Sequence, residues 1–245
     1  MAGEEMTDLE ILKSKSGYCK PYMKMKLSQP PMFGFKTKGL EYLLSNAVFA
    51  ACQGTQRSPY VLFEIGTAHA DSTRAFYSIL KENPAYFAPF SIVSCDLPDG
   101  WSLNTQSIVK NLPEARIHFE LSEYDYGNTV NDVSVILQPS HDILSSRKIP
   151  HINFAFVDGC HGYNCAMQDW RDVDALMPPG GVIVFHDADP ACQGSDIQPH
   201  CGEPIRVREA VIDIVERHGD EYVLLADAEA DFGNNGVIIL QKKEK

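Results

Sequence analysis

Four acidic residues each stand at or next to the end of a short apolar run, and their type and position suit ligand binding. Glu64 follows VLF, Asp96 follows SIVSC, Asp158 follows INFAFV and Asp187 follows GVIVFH. Apolar runs of this length predict buried strands. In open sheets of parallel strands, ligands bind at the edge where the strands end. The four carboxylates therefore predict one polar crevice along that edge.

Asp158 and Asp187 suit a divalent cation, because two facing carboxylates need a positive charge between them. Oxygen ligands favour Mg²⁺, with Mn²⁺ as the alternative. Asp189 is the predicted third ligand. His186 or a water molecule could take that place instead, and His186 would favour a softer metal such as Mn²⁺ or Fe²⁺. The competing interpretation is that both Asp residues are turn or capping residues at the surface.

His161 lies three residues after Asp158, on the turn that leaves the same predicted strand. A neutral imidazole there could accept a proton from a bound hydroxyl group, since its ordinary pKa of about 6.5 lies near working pH. His161, as base, and Asp158 are therefore a candidate catalytic pair. Two alternatives stay open, in which His161 only braces the turn or is itself a metal ligand.

Seven cysteines are scattered along the chain without a CxxC pair. Their odd number and scatter favour a reducing compartment, so we expect a cytoplasmic protein. Cys160 and Cys165 flank a histidine, which allows a Cys–His nucleophile, but the sequence has no GxSxG motif to support a hydrolase. Cys192, His200 and Cys201 lack the usual ligand spacing of a zinc site, so we expect their loop to cover the substrate instead.

The balance of charge limits the class of partner. The chain has 245 residues, with 21 Lys and Arg against 33 Asp and Glu, and a formal net charge of −12. This balance disfavours nucleic acid and anionic membranes, because both attract basic surfaces. No stretch approaches the roughly 18 apolar residues that suggest a membrane span. We expect a small-molecule partner, and the sequence leaves a homo-oligomer open.

Strands and helices alternate along the chain, and this alternation predicts how the polar edge is built. The seven predicted strands are 61–66, 91–96, 116–121, 152–158, 181–187, 222–226 and 236–241, and a helix is expected within 128–146. The order predicts an α/β, Rossmann-like, mainly parallel sheet with helices on both faces. The last two strands have no helix between them, so the final strand is predicted to be antiparallel. We assign 39–245 to this domain and 1–38 to an N-terminal lid or partly disordered segment.

The order of these motifs resembles the class I S-adenosylmethionine-dependent methyltransferases. The most specific stretch, FVDGCHGYNCAMQDWRDVDALMPPGGVIVFHD, resembles the branch of metal-assisted, macrocin-type sugar O-methyltransferases. The resemblance implies that Asp158 and Asp187 hold the metal, and that His161, in a DxxH pattern, is the general base. One departure is Ala188, which stands where the family often has a second acid.

The same resemblance implies a site for S-adenosylmethionine along the first three strands. Ala68 and Ala70 stand where many relatives have glycine in the turn after the first strand. Asp96 is implied to bind the ribose, and Ser122, after the third predicted strand, to lie near the adenine. The implied cofactor-binding residues are Glu64, Gly66, Thr67, Ala68, Ser72, Asp96, Ser122 and Asp158.

Together these features predict methyl transfer from S-adenosylmethionine to a hydroxyl oxygen of a small molecule, assisted by a divalent metal and a His base. A sugar, a catechol or a natural-product diol fits, since a vicinal diol offers two oxygens to one metal. Two other classes stay open. The alanines at 68, 70 and 188 allow a nucleotide-binding scaffold without catalysis, and iron held by His186 with one of the two Asp residues would indicate a hydroxylase.

Overall fold

The computed structural model describes most of the chain. The described residues are 6–14, 22–23, 40–55, 57–68, 70–97, 110, 112–113, 115–119, 132–146, 148–194, 197–199, 201–228 and 236–244. The strands are β1 (Tyr22–Met23), β2 (Tyr60–Ile65), β3 (Phe90–Asp96), β4 (Arg116–His118), β5 (Asp132–Leu137), β6 (Phe154–Val157), β7 (Val182–His186), β8 (Tyr222–Ala228) and β9 (Val237–Lys242). The helices in these ranges are α1 (Asp8–Lys13), α2 (Leu40–Thr55), α3 (Asp71–Glu82), α4 (Pro84–Phe87), α5 (Ser140–Ser145), α6 (Tyr163–Asp174) and α7 (Val207–His218), and a 3-10 turn covers Pro190–Cys192.

The strands form one nine-stranded sheet in the order β1-β8-β9-β7-β6-β2-β3-β5-β4. Strands β2 to β7 pair in parallel, whereas β9 runs antiparallel to both β7 and β8. The predicted α/β class, the mainly parallel sheet and the antiparallel final strand are confirmed. The predicted count of seven strands is wrong, because β5 and the two-residue β1 add to it.

The interval 128–146 contains the predicted helix, which is α5, and also strand β5, which the sequence did not predict. Val133, Val135 and Ile136 of β5 are buried, and α5 begins three residues after β5 ends. Because the strand is short and the helix follows it so closely, the period of the strand does not extend far enough to be recognised. The consequence for the site is that β5, and not β4, lies beside β3.

Two parts of the N-terminal segment 1–38 are described, and both attach to the domain. Strand β1 extends the sheet by pairing antiparallel with β8. Helix α1 buries Leu12 and lies against α7, where the guanidinium of Arg208 donates to the backbone oxygen of Leu12 at 3.1 Å. The lid that the sequence predicts would lie mainly in 15–21 and 24–39, which are outside the described residues.

Both faces of the sheet are buried because its central strands are apolar on both sides. On β6, Phe154 and Phe156 join the core that α2 and α3 cover, whereas Ala155 and Val157 join the core under α6 and α7. This alternation is the period-two pattern of a strand. Among the helices of the described ranges, none has the length and apolar surface needed to span a bilayer.

The order of the strands decides which side chains share the crevice. Strands β3, β2, β6 and β7 are consecutive neighbours and run in the same direction. Their carboxyl ends therefore lie in a row, which carries Asp96, Glu64, Asp158 and Asp187 in that order. The polar edge thus comes from four adjacent strands that are far apart along the chain.

Candidate active site

Glu64 has a fully buried side chain near the end of β2. Its Oε2 accepts hydrogen bonds from the hydroxyl groups of Thr73 and Ser94, both at 2.5 Å, and Oε1 has no hydrogen-bond partner among the described residues. The hydroxyl of Thr67 lies 2.6 Å from that of Ser94, and Ser72 stands in the first turn of α3. Burial raises the pKa of Glu64 to about 7. The hydrogen bonds from these hydroxyl groups favour the charged carboxylate and lower the pKa, but burial outweighs them. Near neutral pH the free site therefore holds a partly protonated carboxyl group with one unused oxygen.

Gly66 begins the turn after β2, and two features of its position require glycine. Its φ is +94°, and a Cβ there would lie 2.1 Å from the backbone oxygen of Asp158. The N–H of Asp158 donates to the backbone oxygen of Ile65 at 2.9 Å, which holds the two strand ends together. The absence of a side chain at Gly66 therefore lets the end of β6 lie directly against this turn.

Ala68 and Ala70 continue the turn with positive φ values of 42° and 61°. This conformation costs a residue with a Cβ about 1 kcal/mol, which is the physical reason why glycine suits such positions. The N–H of Ala68 donates to Oδ2 of Asp96 at 2.9 Å, and the N–H of Leu97 donates to Oδ1 at 2.8 Å. The turn therefore orients the Asp96 carboxylate, and the alanines preserve the backbone that does so.

Four ionisable side chains converge where β6 and β7 end. Nε2 of His161 lies 2.9 Å from Oδ2 of Asp187 and 3.3 Å from Oδ1 of Asp158. Nδ1 of His186 lies 2.8 Å from Oδ1 of Asp158 and 3.5 Å from Oδ1 of Asp187. Each imidazole therefore lies between the same two carboxylates. The structure brings Asp158, Asp187 and His161 together, as the sequence predicts, and adds His186 to them.

The charges in this cluster stabilise one another. Burial of the rings lowers the pKa of both histidines, but hydrogen bonds to Asp158 and Asp187 outweigh it and raise the pKa of His161 to about 10 and that of His186 to about 9. Burial raises the pKa of Asp187, but the two imidazoles hold it far below its ordinary value. Both histidines are therefore cationic at neutral pH in this state, whereas the sequence predicts a neutral imidazole at His161. The reason is that His161 faces two carboxylates, and only Asp158 is close to it in the sequence.

The residues present fit a divalent cation. The ligand atoms of Asp158, His186 and Asp187 all lie within 4.8 Å of one another. Oδ1 of Asp187 is buried and, apart from the contact at 3.5 Å with Nδ1 of His186, has no hydrogen-bond partner among the described residues. Two carboxylates and an imidazole suit Mg²⁺, Mn²⁺ or Fe²⁺. A cation held by them would balance the carboxylate charge that the two imidazolium rings balance here.

Asp189, the predicted third ligand, has a different contact. Its Oδ1 accepts a hydrogen bond from the N–H of Ala191 at 2.7 Å and so caps the 3-10 turn that begins at Pro190. It is not part of the group formed by Asp158, His186 and Asp187. The structure thus offers His186, which was the sequence-based alternative, as the third donor.

Gln193 fixes the segment after β7, and sequence reasoning missed it. Its side-chain N–H₂ donates to the backbone oxygens of Asp187 at 3.1 Å and of Asp189 at 2.9 Å. Its Oε1 accepts from the N–H of Arg208 at 3.0 Å, and the Arg208 guanidinium donates to the backbone oxygen of Ala188 at 3.1 Å. The start of α7 therefore positions Asp187. No local pattern marks a glutamine for this role, because its partners are brought together by the fold.

Ser122, the predicted adenine contact, lies outside the described residues. Its role near the adenine, which the family resemblance implies, stays a prediction. The strand beside β3 is β5, and Ser140 begins α5 three residues after β5 ends. The hydroxyl of Ser140 donates to Oδ1 of Asp169 at 2.6 Å, and burial raises the pKa of Asp169 to about 7.

Comparisons with known proteins were made on sequence and on structure. A family model described as a methyltransferase domain matches residues 63–188, just over half of the chain. No curated protein matches the chain significantly.

Several solved structures share the fold at low sequence identity. The O-methyltransferase TomG from Streptomyces achromogenes, solved with S-adenosylmethionine, is 15% identical, has a TM-score of 0.51 and aligns over 83% of this chain and 79% of its own. An O-methyltransferase from Bacillus cereus, solved with S-adenosylhomocysteine, is 14% identical, with a TM-score of 0.51 and coverage of 83% and 80%. The O-methyltransferase NovP is 13% identical, with a TM-score of 0.55 and coverage of 83% and 79%.

The match of the family model spans the segment that carries the predicted motifs. It begins inside β2 and ends one residue after Asp187, so it includes the Gly66 turn, Asp96 and the cluster around Asp158. The predicted resemblance to class I methyltransferases is confirmed, and the chain belongs to the methyltransferase-domain family.

Proposed function

We propose that the chain transfers the methyl group of S-adenosylmethionine to a hydroxyl oxygen of a small molecule, with a divalent cation at Asp158, Asp187 and His186 and with His161 as general base. The observation that carries this proposal is the position of Asp158. Its backbone oxygen lies against Gly66 in the turn after β2, and its carboxylate contacts His161 and His186. One residue thus joins the cofactor turn to the ionisable cluster, so a methyl donor and an acceptor hydroxyl would meet beside it.

Three features of the crevice support S-adenosylmethionine as the methyl donor. Glu64 supplies a buried carboxyl group with a free oxygen to the positively charged methionine end. The carboxylate of Asp96, held by the N–H groups of Ala68 and Leu97, is an acceptor for ribose hydroxyls. Gly66 lets the strand end that carries Asp158 lie against the turn, which brings the ionisable cluster next to the proposed cofactor site. TomG and the Bacillus cereus enzyme were solved with S-adenosylmethionine and S-adenosylhomocysteine, which supports the same ligand here.

The proposed metal would be Mg²⁺ or Mn²⁺. Asp158 and Asp187 would hold it through carboxylate oxygens, and His186 would hold it through Nδ1. A cation of this kind, when bound, acts as a Lewis acid that lowers the pKa of an acceptor hydroxyl and can hold two neighbouring oxygens. Gln193 keeps Asp187 in place through its backbone, so the ligands are preorganised.

His161 is the proposed acceptor of the hydroxyl proton. Without a bound cation it is protonated at neutral pH, because two carboxylates raise its pKa to about 10. A bound cation would balance the charge of these carboxylates and so lower the pKa of His161 again. The ring would then be a neutral base at neutral pH. In the cation-free structure Nε2 lies 2.9 Å from Asp187 and 3.3 Å from Asp158, so these carboxylates would stabilise the imidazolium that forms when the ring takes the proton. Base activity should therefore require the loaded site.

The proposed acceptor is a small-molecule diol, such as a sugar, a catechol or a natural product, because two adjacent hydroxyls match one metal. TomG takes part in tomaymycin synthesis, which supports a natural-product substrate. The net charge of −12 supports a small-molecule partner over nucleic acid or an anionic membrane, and the scattered cysteines support a cytoplasmic enzyme. A homo-oligomer is compatible with this function.

The test is transfer of label from methyl-labelled S-adenosylmethionine to a panel of sugars, catechols and other diols. Chelation should abolish turnover and spare cofactor binding, and added Mg²⁺ or Mn²⁺ should restore turnover. Asp187→Asn should imitate chelation, since a neutral amide is a poorer ligand for a hard cation. Asp142→Asn, at an exposed position of α5, is the matched control and should keep wild-type activity. Full activity in excess chelator would show that the two acids have another role.

The same experiment separates the two alternative functions. Binding of S-adenosylmethionine without any methylated product would favour a nucleotide-binding scaffold. Iron in the purified protein, together with an oxygen-dependent product, would favour a hydroxylase. Failure to bind S-adenosylmethionine at millimolar concentration would overturn the proposal at its first step.

A further inference from the structure

Three cysteines that are separate in the sequence meet at the amino end of α6. The Sγ atoms of Cys160, Cys165 and Cys201 all lie within 4.8 Å of one another, and those of Cys160 and Cys201 are 2.8 Å apart. Cys160 stands on the turn after β6, Cys165 in the first turn of α6, and Cys201 in the loop between β7 and α7. Each side chain is half-buried.

We propose that Cys160, Cys165 and Cys201 form a zinc site, with three thiolate ligands and a water molecule in the fourth position. Thiolates bound to one tetrahedral zinc at about 2.3 Å lie roughly 3.8 Å apart, so Cys160 and Cys201, now at 2.8 Å, would separate by about 1 Å on binding, and all three sulfurs lie within 4.8 Å of one another. A disulfide would use only two of the three sulfurs and would not explain why the third sulfur lies beside them. Soft sulfur ligands also select zinc over the hard cations that suit carboxylates.

The local structure is built to let the loop reach the helix. A Cβ on Gly162 would lie 2.8 Å from Sγ of Cys201, so glycine leaves the space that the loop cysteine needs. The carboxylate of Glu203 accepts a hydrogen bond from the N–H of Asn164 at 3.1 Å, which holds the loop against the amino end of α6.

The site would connect the loop to the catalytic turn. The N–H of Arg206 donates to the backbone oxygen of His161 at 2.9 Å, so the loop already contacts the residue proposed as base. Zinc would fix Cys160, the neighbour of His161, to Cys201 on the loop. Its role would then be structural, and it does not depend on the proposed methyl transfer. The group formed by Asp158, His186 and Asp187 is a separate set of metal ligands, and it offers oxygen and nitrogen atoms instead of sulfur.

The sequence does not reveal this site, because the cysteine and the histidine nearest to Cys201 in the chain are Cys192 and His200 in the same loop. In the structure Cys192 is not part of the group, and His200 lies outside the described residues. Cys160 and Cys201 are 41 positions apart, and no spacing rule for zinc ligands joins them to Cys165.

The experiment uses the full chain, kept reduced with a phosphine, and measures its metal content by mass spectrometry after dialysis. We expect one zinc ion per chain, which Cys160→Ser, Cys165→Ser and Cys201→Ser should each lose. Cys192→Ser, a cysteine of the same loop, is the matched control and should retain zinc. Asp187→Asn should also retain it, and loss of zinc in that variant alone would place the ion in the carboxylate site and overturn the proposal.

A second measurement does not depend on the folding of any variant. Wild-type protein stripped of zinc and titrated with Co²⁺ should show intense visible bands of tetrahedral cobalt and near-ultraviolet thiolate charge transfer. Cobalt held by carboxylates and water would give weak bands without charge transfer. Reduced wild-type protein that binds neither zinc nor cobalt through sulfur, or that keeps a Cys160–Cys201 disulfide under these conditions, would overturn the proposal.

Discussion

Replacement of Glu64 by glutamine should change how the stability of the protein depends on pH. Glu64 is fully buried at the end of β2, and Thr73 and Ser94 donate hydrogen bonds to its Oε2. A glutamine oxygen can accept the same two hydrogen bonds. The amide has the same shape and cannot ionise, so Glu64→Gln removes the titration. Its new N–H₂ group would stand where Oε1 has no partner among the described residues, which lowers stability by about 1–3 kcal/mol, an amount that does not depend on pH.

The magnitude follows from the raised pKa. Burial raises the pKa of Glu64 from its ordinary value of 4.5 to about 7, so the fold favours the protonated carboxyl by about 3 kcal/mol. That stability is fully present below the unfolded pKa and is lost as the pH rises through the folded pKa. For these values, the contribution of residue 64 to the free energy of unfolding falls by about 2 kcal/mol between about pH 5.5 and about pH 8 in the wild type. In the variant this contribution does not change with pH. Asp169 titrates in the same window, but it is present in both proteins and cancels in the difference.

The assay is urea unfolding of wild type and Glu64→Gln at both pH values, without cofactor. The difference in the free energy of unfolding between the two proteins should shift by about 2 kcal/mol in favour of the variant from the lower to the higher pH. Glu82→Gln, at an exposed position of α3, is the control and should follow the wild type at both pH values. A difference between wild type and Glu64→Gln that stays constant across the range would refute the reasoning, because it would mean that Glu64 is ionised throughout.

Three further predictions concern the turn, the cofactor and the base. Gly66→Ala should destabilise the protein by about 3 kcal/mol or more, because its Cβ would meet the backbone oxygen of Asp158 and φ is positive; an unchanged melting temperature would contradict this. Asp96→Ala should weaken S-adenosylmethionine binding roughly ten- to hundredfold in calorimetry, since two ribose hydroxyls lose a charged acceptor, and equal affinity would show that the ribose binds elsewhere. His161→Ala should lower kcat by roughly 10²–10⁴ and spare cofactor affinity and metal content; loss of metal would make it a ligand.

Much of the site could be predicted because the residues at strand ends follow from local pattern. Each apolar run that ends in an acid identifies a strand and its carboxyl end, and parallel order then places Asp96, Asp158 and Asp187 at one edge. The closeness of His161 to Asp158 is also a local feature. These signals survive without the tertiary structure, because a short stretch of chain determines its own periodicity and turn conformation.

The tertiary structure alone decided which distant residues meet. It placed β5 between β3 and β4, so that β5 and not β4 lies beside the strand that ends at Asp96. It also set His186, and not Asp189, beside the two carboxylates, and brought Cys201 to Cys160. Contacts of this kind form between segments that are far apart in the sequence. The local sequence of one segment does not determine which distant segment it will meet. The protonation state of His161 belongs with them, because a pKa depends on every charge around the group, including one that lies 26 residues further along the chain at Asp187.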